Sequence, residues 1–187
     1  DASDGGENSR HSVATEFQTT VGATSVRATA YAMRNRLTLF SNFTYFLDDP
    51  DHGDQFEQSE RRSTIGGRVT VRRLGRWGGK HTESAAGVQV RRDWLDPVGL
   101  YHNVGRVRLD TVREDEVGQT MTGVFGQSEI EWTRHLRTTV GLRADIYQFS
   151  VDAGLPVNSG SGAKALASPK LSAVLGPFAA TEFYANA

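Results

Sequence analysis

The sequence predicts an all-β protein, an antiparallel segment of a transmembrane β-barrel. Three observations carry the prediction: side chains alternate with a period of two, the alternating runs are long, and short and long connections alternate between them. The run from Leu136 to Tyr147 shows the alternation best. Its apolar residues fall on one face and its polar residues on the other, namely Leu136, Val140, Leu142, Ala144 and Ile146 against Arg137, Thr139, Arg143 and Asp145. Charges in the middle of a strand with one apolar face are typical of a wall that has lipid outside and water inside.

The composition limits the possible classes of protein. The 187 residues are enough for one domain, and 37% hydrophobic residues is a low fraction for a packed globular core. The net charge of -1 gives no overall basic field, so nucleic acid is not expected as a partner. There are no cysteines, which excludes disulfides and thiolate metal sites. No run approaches the roughly 18 apolar residues of a membrane helix.

About nine strands are predicted, many of them longer than the roughly 5 to 6 residues usual in globular proteins. They cover residues 11–20, 25–34, 37–47, 61–73, 82–94, 120–133, 136–151, 168–176 and 182–187. The segment 1–10 is predicted to be a polar edge that precedes the barrel part at 11–187. It lacks the features of a signal peptide, and the last strand stops abruptly, so the sequence is interpreted as an internal piece of a longer protein.

Short and long connections are predicted to lie at opposite ends of the strands. Short turns are expected at 20–24, near Asn35, and at 74–81, 134–135 and 176–177. Longer polar loops are expected at 48–60, 95–119 and 152–167, with a protruding hairpin at 100–118 inside the second. This segregation is typical of outer-membrane barrels, with short periplasmic turns and long extracellular loops.

Aromatic residues cluster near the predicted strand ends, as interfacial girdles do. The residues concerned are Phe43, Tyr45, Phe46, Trp94, Trp132, Tyr147, Phe149 and Phe178. The alternative is that aromatic residues are simply common in strands.

The first long loop contains four acidic residues that are candidates for ligand binding, Asp48, Asp49, Asp51 and Asp54. An EF-hand loop is excluded, because Gly53 and Asp54 occupy its fifth and sixth positions. The alternative is a solvated turn, since Asp, Pro and Gly are common turn residues. No metal site and no cofactor are predicted.

Arginines on or near the second long loop are candidates for binding an anionic ligand, and those selected are Arg91, Arg106 and Arg108. The competing explanation is charge balance with neighbouring acidic residues such as Asp93 and Asp110.

Four charged residues of the predicted wall complete the candidate ligand-binding set: Glu129, Glu131, Arg143 and Asp145. Paired carboxylates can hydrolyse glycosides, and Asp145 is expected to approach the two glutamates from the next strand. Pairing with inward arginines is the alternative, and it requires no chemistry. The chain is therefore not expected to be an enzyme, and no catalytic residue is assigned.

Several runs resemble barrel segments of TonB-dependent outer-membrane receptors. The first extends from Leu39 to Pro50 and continues at Gly53–Gln58. Further resemblance lies in Trp132-Thr133, Leu136-Arg137, Gly141–Asp145, Ser168–Ser172, Gly176-Pro177 and Thr181–Asn186. The Ser-Pro-Lys strand start and the Glu-x-Tyr-x-Asn strand are typical of the later part of that family's barrel. The resemblance covers the chain from about His11 onward.

The resemblance implies active import across a Gram-negative outer membrane. In that family a barrel of 22 strands encloses an N-terminal plug, and the TonB energy-coupling complex acts on the N-terminus. Small-molecule ligands of the siderophore, cobalamin or oligosaccharide class pass inward. The implied partners are outer-membrane lipid, the plug of the same full-length chain, the TonB complex and the ligand. The plug, the coupling segment and the final strands are not found in these residues.

The two-residue period assigns side chains to lipid or to the lumen. The lipid-facing set is Leu37, Leu39, Phe43, Tyr45, Val69, Val71, Val88, Val90, Val140, Leu142 and Ile146. The lumen-facing set is Arg68, Gln89, Arg91, Glu129, Glu131, Arg143 and Asp145. The alternatives are a passive porin, a soluble β-sandwich that binds a ligand, and a carboxylate hydrolase.

Overall fold

The computed structural model describes residues 2–187, which form one antiparallel sheet of eight strands in chain order. The strands are β1 (Gly5–Val21), β2 (Thr24–Ser41), β3 (Phe56–Trp77), β4 (Lys80–Val104), β5 (Val107–Thr133), β6 (Leu136–Ala153), β7 (Gly160–Phe178) and β8 (Thr181–Asn186). A short 3₁₀ turn at Pro156–Asn158 interrupts the connection between β6 and β7. The sheet is open, with β1 and β8 at its edges.

The prediction of nine strands is corrected to eight, because residues 25–34 and 37–47 do not form separate strands. β2 runs through Asn35, which pairs with Arg10 on one side and Arg62 on the other. The short turn predicted at Asn35 is therefore wrong. Asn35 is flanked by arginines, without the Gly or Pro that would favour a turn, and both neighbouring ladders continue past it.

Two of the three predicted long loops are present with shifted bounds, but the second is wrong, because only the two residues 105–106 join β4 to β5. The predicted short connections join β1 to β2, β3 to β4, β5 to β6 and β7 to β8, but the last one lies at 179–180, because residues 176–177 belong to β7. The first long loop covers 42–55 instead of 48–60, and the third covers 154–159, because residues 160–167 belong to β7. Most of 95–119 is strand. β4 and β5 continue as a hairpin that turns at Gly105 and Arg106, whose φ angles are 54° and 69°.

The ladder register divides the sheet into two faces, because residues directly opposite each other share a face. One row runs through Val69, Val88, Val124 and Ala144. We call its side of the sheet the apolar face. The neighbouring row contains Arg68, Gln89 and Asp145, and we call its side the polar face. Val140, Leu142 and Ile146 fall on the apolar face, and Arg91, Glu129, Glu131 and Arg143 on the polar face.

The assignments at the top of β2 and in the first loop are wrong. β2 is paired without a bulge, and Ala28 in it lies opposite Val69. Even-numbered residues of β2 therefore share the apolar face, and Leu37 and Leu39 lie on the polar face. Phe43 and Tyr45 lie in the loop 42–55, outside any strand. Alternation could not reveal this, because a local run of apolar residues does not determine which face a longer strand presents.

Tryptophans mark both ends of the apolar face. Trp77 and Trp132 meet near the short turns, with ring centroids 6.2 Å apart and planes inclined by 74°. Trp94 lies toward the other end of β4. Tyr147 and Phe149, predicted as girdle residues, lie on the polar face, because they alternate with Ile146.

The described residues contain almost no conventional core. Only Ala85, Leu95, Tyr101 and Ala153 are buried hydrophobic residues, whereas most large apolar side chains of the apolar face are exposed. Residues 2–187 form no second sheet to cover that face, so the sandwich alternative is not supported. No helix within the same residues is long and apolar enough to cross a membrane.

Glycines opposite aromatic residues allow rings on the polar face to lie flat against the sheet. Gly66 pairs with Tyr31, and a Cβ added at Gly66 would lie 2.4 Å from the Tyr31 ring. Gly162 pairs with Phe149 in the same way, and its Cβ would lie 2.9 Å from that ring. The rings therefore cover the backbone of the neighbouring strand.

We expect Gly66→Ala in the intact protein to lower the free energy of unfolding by about 1–3 kcal/mol, because the new methyl group displaces the Tyr31 ring. Urea unfolding in detergent or lipid measures the effect. In the Tyr31→Ala background the same glycine change should cost much less, since the clash is gone. Equal costs in the two backgrounds would contradict the packing of Tyr31 on Gly66.

Candidate ligand-binding surface

The polar face holds a concave region of about 450 Å³ that crosses strands β2, β4, β5 and β6. Aromatic rings, amides and one ion pair line it: Tyr31, Gln89, Arg91, Asp93, Gln119, Thr120, Met121, Tyr147, Gln148 and Phe149. Among the candidate residues from the sequence, only Arg91 belongs to this lining. We call the region the aromatic–arginine cavity.

Arg91 is fixed in the cavity by Asp93, two residues along β4. The guanidinium donates two hydrogen bonds to the carboxylate, from Nε to Oδ2 at 2.7 Å and from Nη2 to Oδ1 at 2.8 Å. Asp93 is 1% exposed, and the Thr64 hydroxyl also donates to it at 2.6 Å. Bidentate pairing holds the guanidinium plane in one orientation. The Arg91 side chain remains 36% exposed, so part of it can still contact a ligand.

Arg143 and Asp145 repeat this arrangement on β6. Arg143 donates from Nε to Asp145 Oδ2 at 2.7 Å and from Nη2 to Oδ1 at 2.6 Å. Gly123 lies opposite Asp145, and a Cβ there would approach both partners to 2.5 Å. The glycine thus makes room for the ion pair. The predicted lumen charges at 143 and 145 are therefore paired with each other.

Three aromatic side chains give the cavity its apolar surface. Tyr147 and Phe149 are 47% and 48% exposed, and Tyr31 lies across the floor on Gly66. Exposed rings beside a fixed guanidinium can stack on a planar ligand and bind its negative charge. The sequence did not assign these rings to a binding site. They come from β2 and β6, which are brought together only by the strand order, with β3, β4 and β5 lying between them.

The acidic residues of the first loop serve mainly to build the loop. Asp54 accepts backbone hydrogen bonds from Leu47 at 2.9 Å, from Asp48 at 3.1 Å and from Asp49 at 2.7 Å. A hydrogen bond from the Thr44 side chain, together with these backbone bonds, lowers the pKa of Asp54 to about 2. Hydrogen bonds to the charged form favour it, so Asp54 is ionised over the physiological range.

Asp49 caps the tip of the same loop. Its Oδ1 accepts from the backbone N–H groups of Asp51 at 3.0 Å and His52 at 2.9 Å, which lowers its pKa. His102 Nε2 lies 2.7 Å from the Gly53 carbonyl and ties the loop to the hairpin. Of the four aspartates, only Asp48 and Asp51 are exposed. No group of three or more acidic or histidine side chains within residues 2–187 is arranged to hold a metal ion.

The two hairpin arginines make internal contacts. Arg108 donates to both Glu57 oxygens, at 2.7 and 2.5 Å, and stacks 3.6 Å from the Tyr101 ring centroid. Arg106 donates to the backbone carbonyls of Ser3 at 2.8 Å and Asp4 at 3.2 Å. These contacts favour charge balance and loop docking, the alternative raised for these arginines.

The wall carboxylates do not converge. Glu129 lies opposite Thr139, whose hydroxyl is 3.3 Å away, while Asp145 lies opposite Gly123. Gly123 and Glu129 are about 20 Å apart at the usual rise of a strand. The expectation that Asp145 approaches Glu129 and Glu131 is therefore wrong. The two glutamates line a separate recess of about 210 Å³ near the short turns.

The arrangement suits binding better than catalysis. The cavity combines one oriented guanidinium, side-chain amides and exposed rings, which can together hold an anionic or partly aromatic solute.

The family model described as TonB dependent receptor-like, beta-barrel matches residues 1–187. Among solved structures, the unliganded ferric citrate transporter FecA aligns with a TM-score of 0.78 and 10% identity, covering 96% of this chain and 27% of that chain. The open form of the ferric-catecholate import receptor Fiu from E. coli K12 aligns at 0.76 and 13% identity, covering 98% and 35%. Its closed form aligns at 0.74. No curated protein matches the chain by sequence.

The chain thus spans about a third or less of the length of these solved structures. At 10% and 13% identity the likeness shows a shared fold and carries no statement about ligand.

We expect Asp54→Asn to loosen the first loop, because an amide accepts the three backbone hydrogen bonds less well than a carboxylate. The folded pKa of about 2 lies below the ordinary 3.8, so Asp54 stabilises the loop above about pH 4 and loses this effect as the pH falls toward 2. A spin label at exposed position 51 should become severalfold more mobile over that range, and in Asp54→Asn at every pH.

Asp48→Asn is the matched control, since Asp48 is exposed. It should leave the label as immobile as in the parent protein. Equal label mobility in the parent and Asp54→Asn at pH 7 would contradict the role of Asp54.

Proposed function

We propose, from the premise that this chain belongs to the TonB-dependent receptor-like β-barrel family, that it forms part of the wall and loops of an outer-membrane import receptor. Members of this family are transport receptors of the Gram-negative outer membrane. In this proposal the apolar face contacts lipid and the polar face lines the lumen. A scarce ligand is captured outside and passes inward along the polar face with energy from the inner membrane.

The aromatic–arginine cavity is the single observation that supports ligand capture most directly. It lies on the face proposed to line the lumen, on strands that lead up to the long loops. Within this chain, Tyr147 and Phe149 are about half exposed beside a fixed guanidinium, so both rings are available for contact with a solute. Exposed rings in a water-filled lumen become useful when a solute covers them.

The proposed ligand belongs to the siderophore, cobalamin or oligosaccharide class, and the cavity favours an anionic ferric chelate among these. Arg91 supplies positive charge, and the rings supply a surface for planar chelating groups. Ferric citrate and ferric catecholates are the substrates named for the solved neighbours, so they are the first probes. Asp48 and Asp51 of the exposed loop form the outer part of the proposed capture surface, whereas Arg106 and Arg108 of the hairpin are held by contacts within the chain.

The remaining partners follow from the same premise. The polar face, including Glu129, Glu131, Arg143 and Asp145, is proposed to surround a plug supplied by the rest of the full-length chain. The TonB complex acts on that plug. Residues 11–187 are proposed to be a continuous part of the barrel domain, closed by further strands that pair with β1 and β8.

The orientation of the two faces can be tested by single cysteines at Leu142 and Arg143 in the full-length receptor, which has no cysteine in this segment. A membrane-impermeant thiol reagent should label the cysteine at 143 at least tenfold faster than the one at 142, because only 143 faces water. Equal rates in intact outer membranes would overturn the proposed position of the sheet.

Ligand capture can be tested with the double variant Tyr147→Ala/Phe149→Ala. Loss of two stacking contacts worth about 1 kcal/mol each should reduce uptake of ferric citrate or a ferric catecholate at least tenfold below saturation. Radiolabelled iron is measured in cells that lack other ferric receptors. The matched control is Ile146→Ala, which directly precedes Tyr147 on β6 and lies on the opposite face.

Two outcomes decide between the possible roles. Uptake that survives inactivation of TonB indicates a passive channel instead of an energised receptor. Uptake of both probes that is unchanged in the double variant would remove the cavity from the transport path.

A further inference from the structure

One histidine connects the tip of the first long loop, residues 48–53, to the hairpin of β4 and β5. We call these residues the loop tip. His102, on β4, places Nε2 2.7 Å from the Gly53 carbonyl oxygen and 3.9 Å from Oδ2 of Asp49. Its other ring nitrogen, Nδ1, lies 3.4 Å from Oδ1 of Asp110, the residue opposite His102 on β5. Within residues 2–187, every hydrogen bond or ion pair that joins the loop tip to β4 or β5 involves His102.

Both ring nitrogens of His102 face groups that can only accept a hydrogen bond. A carbonyl oxygen and an ionised carboxylate have no proton to donate, and a neutral imidazole carries a single N–H. If that proton is on Nε2, the Nδ1 lone pair faces the Asp110 carboxylate. If it is on Nδ1, the Nε2 lone pair faces the Gly53 carbonyl at 2.7 Å. Only the imidazolium form satisfies both contacts.

The charged groups that face the His102 ring also favour the imidazolium form. Asp49 contributes a carboxylate from the loop tip, and Asp110 contributes one from β5. Hydrogen bonds from the backbone N–H groups of His52 and Asp51 lower the pKa of Asp49. Its carboxylate is therefore negative throughout the range in which an imidazole titrates.

The arginines of the hairpin have other partners. Arg108 donates to Glu57, and Arg106 donates to backbone carbonyls of the segment before β1. On β3, the residue opposite His102 is Phe56, which carries no charge. Neighbouring positive charge is thus held away from the two carboxylates that face the ring.

The loop tip keeps its own shape without His102. Asp54 accepts three backbone hydrogen bonds inside the loop, and its pKa of about 2 keeps it ionised where an imidazole titrates. His52 is the other histidine of the loop, and its Nδ1 lies 3.2 Å from Asp49 Oδ2, a contact within the tip. At the end of the loop, the Gln55 carbonyl accepts a backbone hydrogen bond from β4 at 2.7 Å. Loss of the His102 contacts would therefore release the tip as a folded piece that stays anchored at its end.

We propose that His102 is a proton-controlled latch, which holds the loop tip against the hairpin as imidazolium and releases it as neutral imidazole. The docked tip binds the proton more tightly than the released tip. Docking is therefore favoured at low pH and is lost as the pH rises through the range in which an imidazole titrates. The latch makes the position of Asp48 and Asp51 depend on pH. This consequence for ligand capture rests on the proposed function, whereas the docking itself does not.

The test measures the distance between spin labels at positions 51 and 112 of the full-length receptor in lipid nanodiscs. Both positions are exposed, the first on the loop tip and the second on β5. In the parent protein, the population with the longer distance should increase at least fivefold between pH 5.5 and pH 8.5. In His102→Gln the side-chain amide can still donate to the Gly53 carbonyl, but it does not titrate. The two pH values should then give the same distribution.

Two further variants separate the latch from other effects of pH. His52→Gln is the matched control, because His52 lies in the same loop and its ring contacts Asp49 within the tip. It should keep at least half of the response of the parent protein. Asp110→Asn removes one of the two negative charges that favour the imidazolium, so the tip should be released at a lower pH than in the parent protein. A contact with a merely structural role would not move this midpoint.

Binding of ferric citrate connects the latch with ligand capture. The ratio of the Kd of His102→Gln to the Kd of the parent protein should change at least threefold between the two pH values. The ratio removes the pH dependence of the chelate itself, and an unchanged ratio would refute control of capture by the latch. If ferric citrate binds neither protein, the proposed ligand is wrong, and the label distances still decide whether the latch exists.

Equal label distances in the parent protein at the two pH values would overturn the proposal. A pH response that persists in His102→Gln, or one that disappears in His52→Gln, would overturn it as well. If His102→Gln does not assemble, Asp110→Asn decides, and a midpoint equal to that of the parent protein would refute the latch.

Discussion

The structure depends on an unbroken antiparallel ladder, because nothing else is available to hold these residues together. The described residues have almost no packed core, and the sheet has a single layer. Against lipid, every backbone N–H and C=O group needs a partner within the sheet. Strands of up to 27 residues supply those partners and fix the register over long distances. Each side chain is thereby assigned to the apolar or the polar face, and all other features follow from that assignment.

On the polar face, a repeated Arg-x-Asp pattern neutralises charge within single strands. It occurs at Arg91-x-Asp93 on β4, Arg113-x-Asp115 on β5 and Arg143-x-Asp145 on β6, and each pair is joined by an ion pair. Residues two apart on a strand share a face, so the arginine can fold along the strand onto the carboxylate. The ion pairs neutralise these charges on the polar face and hold the arginine side chains in place. Arg91 alone among these arginines lines the cavity that exposes several aromatic rings.

The two faces differ in the partners that they provide for arginine. On the polar face, arginines are oriented by acidic neighbours and leave only part of the guanidinium for a passing solute, which suits transient binding. On the apolar face, within the described residues, no ion pair is formed by the exposed arginines at the end with the long loops, namely Arg34, Arg36, Arg61 and Arg92. The polar face also contains Gly66 and Gly162, which leave room for the rings of Tyr31 and Phe149 to lie flat against the sheet.

The sequence by itself determined the all-β class, the long strands, most of the connections and the facing of most wall residues. It could do so because a period of two in side-chain polarity has a direct geometric meaning. The sequence also indicated the hairpin within 95–119, because the alternation of side chains continues into this polar segment. Recognition of the family from the runs around Leu39–Pro50 and Gly141–Asp145 is confirmed by the family model over residues 1–187.

Only the tertiary structure decided which residues meet. Alternation within one strand gives faces only relative to that strand, so Leu37 and Leu39 were assigned to lipid until the ladder linked β2 to Val69. The aromatic–arginine cavity combines residues from β2, β4, β5 and β6. In the first loop, only the structure shows that Asp54 accepts hydrogen bonds from backbone N–H groups. These features depend on register across strands, which no pattern along a single strand contains.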